Sequence, residues 1–229
     1  MDLKNRQRTF LRIFFFISGF CFSTWASRIP TIKTTFDYNE AELGTILLFM
    51  PISSLIGLPI SGWLISRYDS RIPLAIAFIA VALALLGIGF AFTDVHLIAS
   101  LCVFAFSMRI LNISMNTQAI TLQKKFDRRI IGSFHGLWST GGIVGVGFST
   151  LMVALNITMA NHLLLVSVAT LATTLFSYKF LLRNDRSTSG NKLILGKPDP
   201  YIVYLGLLVF LPVFVKVECS IGAEYFLRK

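Results

Sequence analysis

Long, nearly unbroken apolar runs alternate with short polar segments along the whole chain. A membrane-crossing helix needs about 20 mostly apolar residues. Seven runs qualify, at roughly 13–29, 43–65, 73–93, 95–118, 131–155, 162–182 and 201–226. The separators are short, such as Arg67-Tyr68-Asp69-Ser70-Arg71, Thr93-Asp94 and Lys124-Lys125-Phe126-Asp127-Arg128-Arg129. The longest, 183–200, is polar and rich in Ser, Gly and Pro, the composition of a flexible linker. The pattern predicts an all-α integral membrane fold: a six-helix bundle over 1–182, a linker over 183–200 and a seventh helix within 201–229. The first run has the basic start of a signal peptide. Its length and the comparable runs behind it favour a spanning helix instead.

Composition agrees with this class. Of 229 residues, 55% are hydrophobic and only 14% charged, and the mean hydropathy is +0.72. A soluble domain carries about 25% charged residues and needs that polar surface. Cys21, Cys102 and Cys219 each lie inside an apolar run, with neither disulfide framework nor metal spacing.

Charge adds orientation. Lys4, Arg6, Arg8 and Arg12 precede or open the first run, and Arg67 and Arg71 join the second to the third. Lys124, Lys125, Arg128 and Arg129 join the fourth to the fifth. Lys179, Arg183, Arg186, Lys192 and Lys197 follow the sixth. These segments hold 15 of the 21 Lys and Arg, whereas the alternate loops hold only Arg28 and Lys33. Basic residues stay on the cytoplasmic side, so the N-terminus and the linker are expected inside. The same distribution explains the net charge of +10 without nucleic acid, because the basic groups are spread over four short segments. The lipid bilayer is the expected partner.

Polar residues within the runs point to a site. Arg109 stands near the middle of the fourth, where a charge costs on the order of 3 kcal/mol on insertion scales. Asn112 and Asn116 follow on the same helical face. This stripe suits a water-filled path or ligand site, and helix–helix hydrogen bonding is the alternative for the two asparagines. In the fifth run His135, Trp138, Ser139, Gly142, Val146 and Ser149 share a side. His135 fits either a proton relay or an interfacial hydrogen bond. Gly141 and Gly145, spaced as GxxxG, permit close helix approach. At the end of the first run, Trp25 and Arg28 are expected to anchor at the extracytoplasmic interface, and Trp25, with Ser18 and Phe22 on its face, is placed to cap a cavity.

The first six runs contain no Asp or Glu, and the seventh carries Glu218 with Lys216 two residues earlier. No nucleophile stands with a base, and there is no phosphate-binding loop or metal cluster. The chain is therefore expected to be no enzyme and to need no metal or cofactor.

Four segments then resemble the N-terminal half of a major facilitator superfamily transporter, in the fucose-permease-like branch of bacterial inner-membrane proteins. They are Trp25-Ala26-Ser27-Arg28-Ile29-Pro30, the stretch from Gly62 to Arg71, Met115-Asn116-Thr117-Gln118-Ala119, and Ser133-Phe134-His135-Gly136-Leu137-Trp138 running into Gly145. Glu218 with Ser220 is similar to the opening of the seventh helix of that fold. The resemblance implies a secondary transporter with two six-helix bodies and a solute site between them near the midplane. It implies a sugar-like, small polar substrate. With the polar positions read above, the pathway candidates are Trp25, Arg109, Asn112, Asn116, His135, Trp138 and Glu218, Arg109 standing where this branch is expected to carry a small residue, and the gating-loop candidates are Gly62, Arg67 and Arg71.

Several positions depart from the family pattern. Ser66 replaces the usual acid of the gating loop and Asp69 its usual glycine. No Pro occurs between Pro73 and Pro198, so the glycine–proline signature of antiporters in the fifth helix is missing. Proton coupling through embedded carboxylates finds no residue in the first six runs. The chain also stops as its seventh run ends, which reads as a truncated copy or a half that pairs with a separate C-terminal half. Alone it is expected to transport little. A non-transporting membrane scaffold or accessory half-transporter is the alternative function.

Overall fold

The computed structural model describes residues 2–183, Asp185 and Tyr204. The chain divides into two compact units, 1–191 and 192–229, and the architecture below is that of the first. Seven α-helices run in the order α1 (Leu3–Ala26), α2 (Ile29–Thr35), α3 (Glu40–Arg67), α4 (Arg71–Gly89), α5 (Asp94–Gln123), α6 (Ile131–Ala154) and α7 (Met159–Ser177). A 3-10 turn, Tyr178–Phe180, extends α7, and no strand occurs among the described residues. Among the described residues, six helices are long and apolar enough to cross a membrane, with α1 and the short α2 counted as one. The protein is a multi-pass membrane protein with an all-α bundle. Tyr204, the one described residue of the seventh run, is helical. The rest of that run, with Lys216 and Glu218, lies outside the described residues, as do 186–200 of the expected linker.

α3 and α5 outrun their apolar runs at both ends, and α1 and α7 begin before theirs, because polar residues cap and extend them. Asn39 accepts a hydrogen bond from the Glu42 backbone N–H, and the Glu42 carboxylate accepts one from Asn39 N, each at 2.9 Å. This reciprocal capping box starts α3 three residues before its apolar run. Thr93 and Thr158 cap α5 and α7 through their hydroxyls. Within α3, Pro51 and Pro59 each remove an N–H from the helical ladder.

In chain order the spans fall into two sets of three, and the packing runs across the sets. In the first set are α1, α3 and α4, and in the second α5, α6 and α7. Each set lends its first helix to the other: α1 lies mainly on α6, and α5 mainly on α3 and α4. The third helices, α4 and α7, pack together. Phe14 against Phe78 and Phe15 against Phe134 fill the interior.

The α1–α6 crossing depends on glycine. A Cβ at Gly19 would overlap the Trp138 carbonyl, and one at Gly141 would overlap the Phe16 carbonyl. At Gly145 the added atom would meet the Phe20 carbonyl at 2.8 Å. The two backbones therefore touch directly, as the Gly141–Gly145 spacing predicts.

The described parts of the four basic segments meet at one end of the bundle. Lys4 and Arg8 lie over Phe126, Arg6 over Phe180 and Arg71 over Tyr178. Asp185, expected in a flexible linker, accepts hydrogen bonds from the Ser70 N–H at 2.9 Å and from its hydroxyl. A carboxylate at the start of α4 suits the positive end of that helix.

The opposite end overturns one expectation. Arg28 is not a snorkelling surface cation. It is 4% exposed, donating from Nε to His162 Nδ1 at 2.9 Å and from Nη2 to the Ile157 carbonyl at 3.0 Å. A guanidinium can be buried where its fork finds acceptors, and α7 with the loop before it supplies both. Trp25 is also no interfacial anchor. It is 3% exposed, edge-on to Phe104 and Phe22. Nearby, burial and the hydrogen bond that the Tyr38 hydroxyl donates to the Asp94 carboxylate hold the Tyr38 phenol above the ordinary tyrosine range.

Candidate functional site

A cavity of about 290 Å³ opens on the face shared by α1, α3, α5 and α6. Its polar lining is Ser54, Arg109 and Asn112. Its apolar lining includes Phe22, Phe104, Met108 and Trp138.

Arg109 is held in place by α3. Its Nε donates to Ser54 Oγ at 2.9 Å. A Cβ at Gly57 would come within 3.2 Å of Arg109 Cβ and 3.3 Å of Cγ, so the missing side chain there makes room for the arginine stem. Ser53 Oγ donates to the Cys102 carbonyl at 2.7 Å and ties the same stretch of α3 to α5. No ion pair to Arg109 occurs among the described residues. The acidic residues of α3 and α5 all stand in their first turns.

Asn112 and Asn116 bond to each other. Asn116 Nδ2 donates to the Asn112 carbonyl at 2.9 Å and to its Oδ1 at 3.1 Å. Among the described residues their side chains make no hydrogen bond to another helix, unlike interhelical bridges. The opposite face of α5 carries Ser107 and Ser114, both buried in the bundle. The polar stripe therefore faces the cavity side and its reverse faces the core.

The remaining candidates separate. Trp138 lines the cavity, its ring 6.4 Å from that of Phe22. Trp25 lies behind this wall and is not part of the lining. His135 is exposed two turns from the crossing glycines, edge-on to Phe15, and does not line the cavity. Of its stripe, Ser149 is buried, bonded to the Gly145 and Thr24 carbonyls. Gly62, Arg67 and Arg71 sit at the basic end. Gly62 faces open space, Arg67 covers Trp63, and Arg71 stands 3.7 Å from the Asp69 carboxylate. Glu218 lies outside the described residues. Among those described, no group of His, Cys, Asp and Glu is arranged to hold a metal ion.

Ser54 and Gly57, which position Arg109, are absent from the sequence-derived candidates. Helical spacing reveals which residues share a face on one helix, and both belong to a different helix from the residue they serve.

The chain is 29% identical over 204 residues to an uncharacterised MFS-type transporter of Yersinia pestis, covering 89% of this chain and 53% of that protein. It is 28% identical to an uncharacterised transporter, y4wD, of Sinorhizobium fredii, over 67% of this chain and 41% of that one. It is 28% identical to the membrane protein MosC of Rhizobium meliloti, over 86% and 48% of the respective chains. The chain thus spans about half the length of the curated relatives it matches. The family model described as Major Facilitator Superfamily matches residues 2–150, most of the six-helix bundle, and the chain belongs to that superfamily.

Proposed function

We propose that the bundle is the N-terminal body of a secondary transporter for small polar solutes, with the solute path running past Arg109, Asn112 and Trp138. The observation that carries this reading is the cavity itself: a charge at midspan, fixed by Ser54 and open on one side. A charge there is costly unless it serves a partner or a pathway. Solute sites in such transporters lie between two bodies. The second body here is a further set of helices that covers the cavity face, on the same polypeptide or another. The bundle alone moves little solute.

The motif from Ser133 to Gly145 and the end of the first span favour the fucose-permease-like branch and a sugar-like solute. The clustering of basic segments at one end favours a cytoplasmic N-terminus in a bacterial inner membrane. Loop fusions test that orientation. Reporters within 119–130 are expected to read cytoplasmic and those within 31–40 extracytoplasmic, and a cytoplasmic reading from 31–40 would overturn it.

Function is tested by uptake of labelled monosaccharides, polyols and sugar acids into vesicles. The chain is reconstituted alone and with the separately produced C-terminal half of the Yersinia pestis relative. Saturable uptake is expected only from the pair, and to be lost with Arg109→Ala. No flux from the pair for any solute favours the scaffold reading. Robust flux from a monomer of this chain makes it a carrier without a second body.

A further inference from the structure

The cavity has a chemical bias that transport of polar solutes does not by itself require. Its lining contains one full positive charge, Arg109, and no acidic side chain. Arginine remains protonated in proteins, so the positive charge does not disappear when the site dries. Ser54 takes up only the Nε–H, and among the described residues no hydrogen bond engages the two Nη groups. A planar pair of donors of this kind fits a carboxylate through two parallel hydrogen bonds.

Asn112 adds a second donor on the same face. Its Oδ1 is occupied by Asn116 Nδ2, which leaves its own amide N–H groups for a ligand. Beyond these two residues the wall turns apolar and aromatic, with Phe22, Phe104 and Trp138. The part of the site on this body holds about 290 Å³, room for a small molecule.

We propose that this site binds a small organic anion, a carboxylate-bearing solute of sugar-acid size, with the carboxylate on the Arg109 Nη groups and the body of the molecule against Trp138 and Phe22. The proposal rests on the transporter reading above and narrows its solute from polar to anionic. It also accounts for the arginine. The charge that is expensive in an empty membrane body is matched when the solute arrives, so the solute carries its own counter-charge into the site. Uniform neutral sugars would leave the guanidinium unmatched.

Matched pairs separate the carboxylate from the rest of the molecule. Gluconate is compared with glucitol, and galactonate with galactitol, by equilibrium dialysis and Trp fluorescence on the purified full chain in lipid nanodiscs. The acids are expected to bind saturably and the alditols at least tenfold more weakly. Arg109→Gln is expected to weaken the acids by about 30-fold or more, since removing one partner of a desolvated charge pair has effects of that order. Arg109→Lys, which keeps the charge and loses the fork, should fall between. Melting and elution of each variant are measured alongside, and the alditols, which should respond little to Arg109→Gln, report an intact cavity.

Equal binding of acids and alditols overturns the proposal, as does undiminished binding of acids by Arg109→Gln. Absence of saturable binding by both acids overturns it too. Arg109-dependent uptake of a neutral solute by the paired halves would leave the transporter reading standing while the anion reading fails. Binding of acids without uptake by the paired halves would do the reverse.

Discussion

Substituting Gly141 with alanine puts one methyl where α1 and α6 touch. The new carbon would overlap the Phe16 carbonyl oxygen and lie 2.9 Å from its carbon and 3.1 Å from Phe16 Cα. All three are backbone atoms, so no rotamer change relieves the clash, and α1 must move away from α6 by up to about 1 Å. A gap of 0.5–1 Å forfeits about a quarter to a half of each dispersion contact it opens. If the crossing holds roughly one buried side chain's worth of contacts, about 40–60 atom pairs at ~0.1–0.2 kcal/mol each, losing a quarter costs ~1–3 kcal/mol. That agrees with the ~1–3 kcal/mol typical of overpacking. Gly147 on the same helix supplies the control, because a Cβ there meets nothing within 4 Å. Both substitutions gain similar helix propensity, about 1 kcal/mol, so their difference isolates the clash. Reversible unfolding in mixed detergent micelles should place Gly141→Ala ~1–3 kcal/mol below Gly147→Ala. The double variant Gly19→Ala/Gly141→Ala should cost less than the sum of the two singles, since the helices part only once. Equal stabilities for Gly141→Ala and Gly147→Ala would refute the direct backbone contact.

Arg28→Ala should destabilise the bundle by about 3 kcal/mol, because it removes two buried charged hydrogen bonds and strands His162, with Arg28→Lys intermediate; unfolding in the same micelles reads this. Asp185→Ala should cost about 1 kcal/mol as a lost helix cap and speed hydrogen exchange at the Ser70 amide, while leaving exchange in α6 unchanged. Gly57→Ala should disturb the Arg109 stem and lower any Arg109-dependent solute binding more than it lowers the melting temperature, measured on the same preparation.

Periodicity and hydropathy contain the six spans, the glycine crossing and the stripe on α5, because each depends on residues close together in sequence. Arg109, Asn112 and Asn116 share a face by spacing alone. Contacts between distant segments leave no such trace. Arg28 reads as a surface cation until α7 brings His162 beside it, 134 residues away. Asp185 reads as linker until Ser70 lies beside it, 115 residues away. The stripe on α6 divides for a related reason. Trp138 reaches the cavity and Ser149 is buried at the crossing, whereas His135 extends from the basic end of the helix. One helical face is wide enough to meet the cavity, the core and open surroundings along its length.

The central claim, a solute path on the Arg109 face of α5, is tested most directly by thiol accessibility. Cys21, Cys102 and Cys219 are first replaced, and single cysteines are placed at 109, 112 and 116 on the cavity face and at 107 and 114 on the core face. A small water-soluble thiol reagent is then applied to the chain in membranes. Cysteines at 109, 112 and 116 should react at least tenfold faster than those at 107 and 114, and gluconate should slow the reaction at 112. Equal rates on the two faces would contradict the account and make the stripe a packed, dry seam.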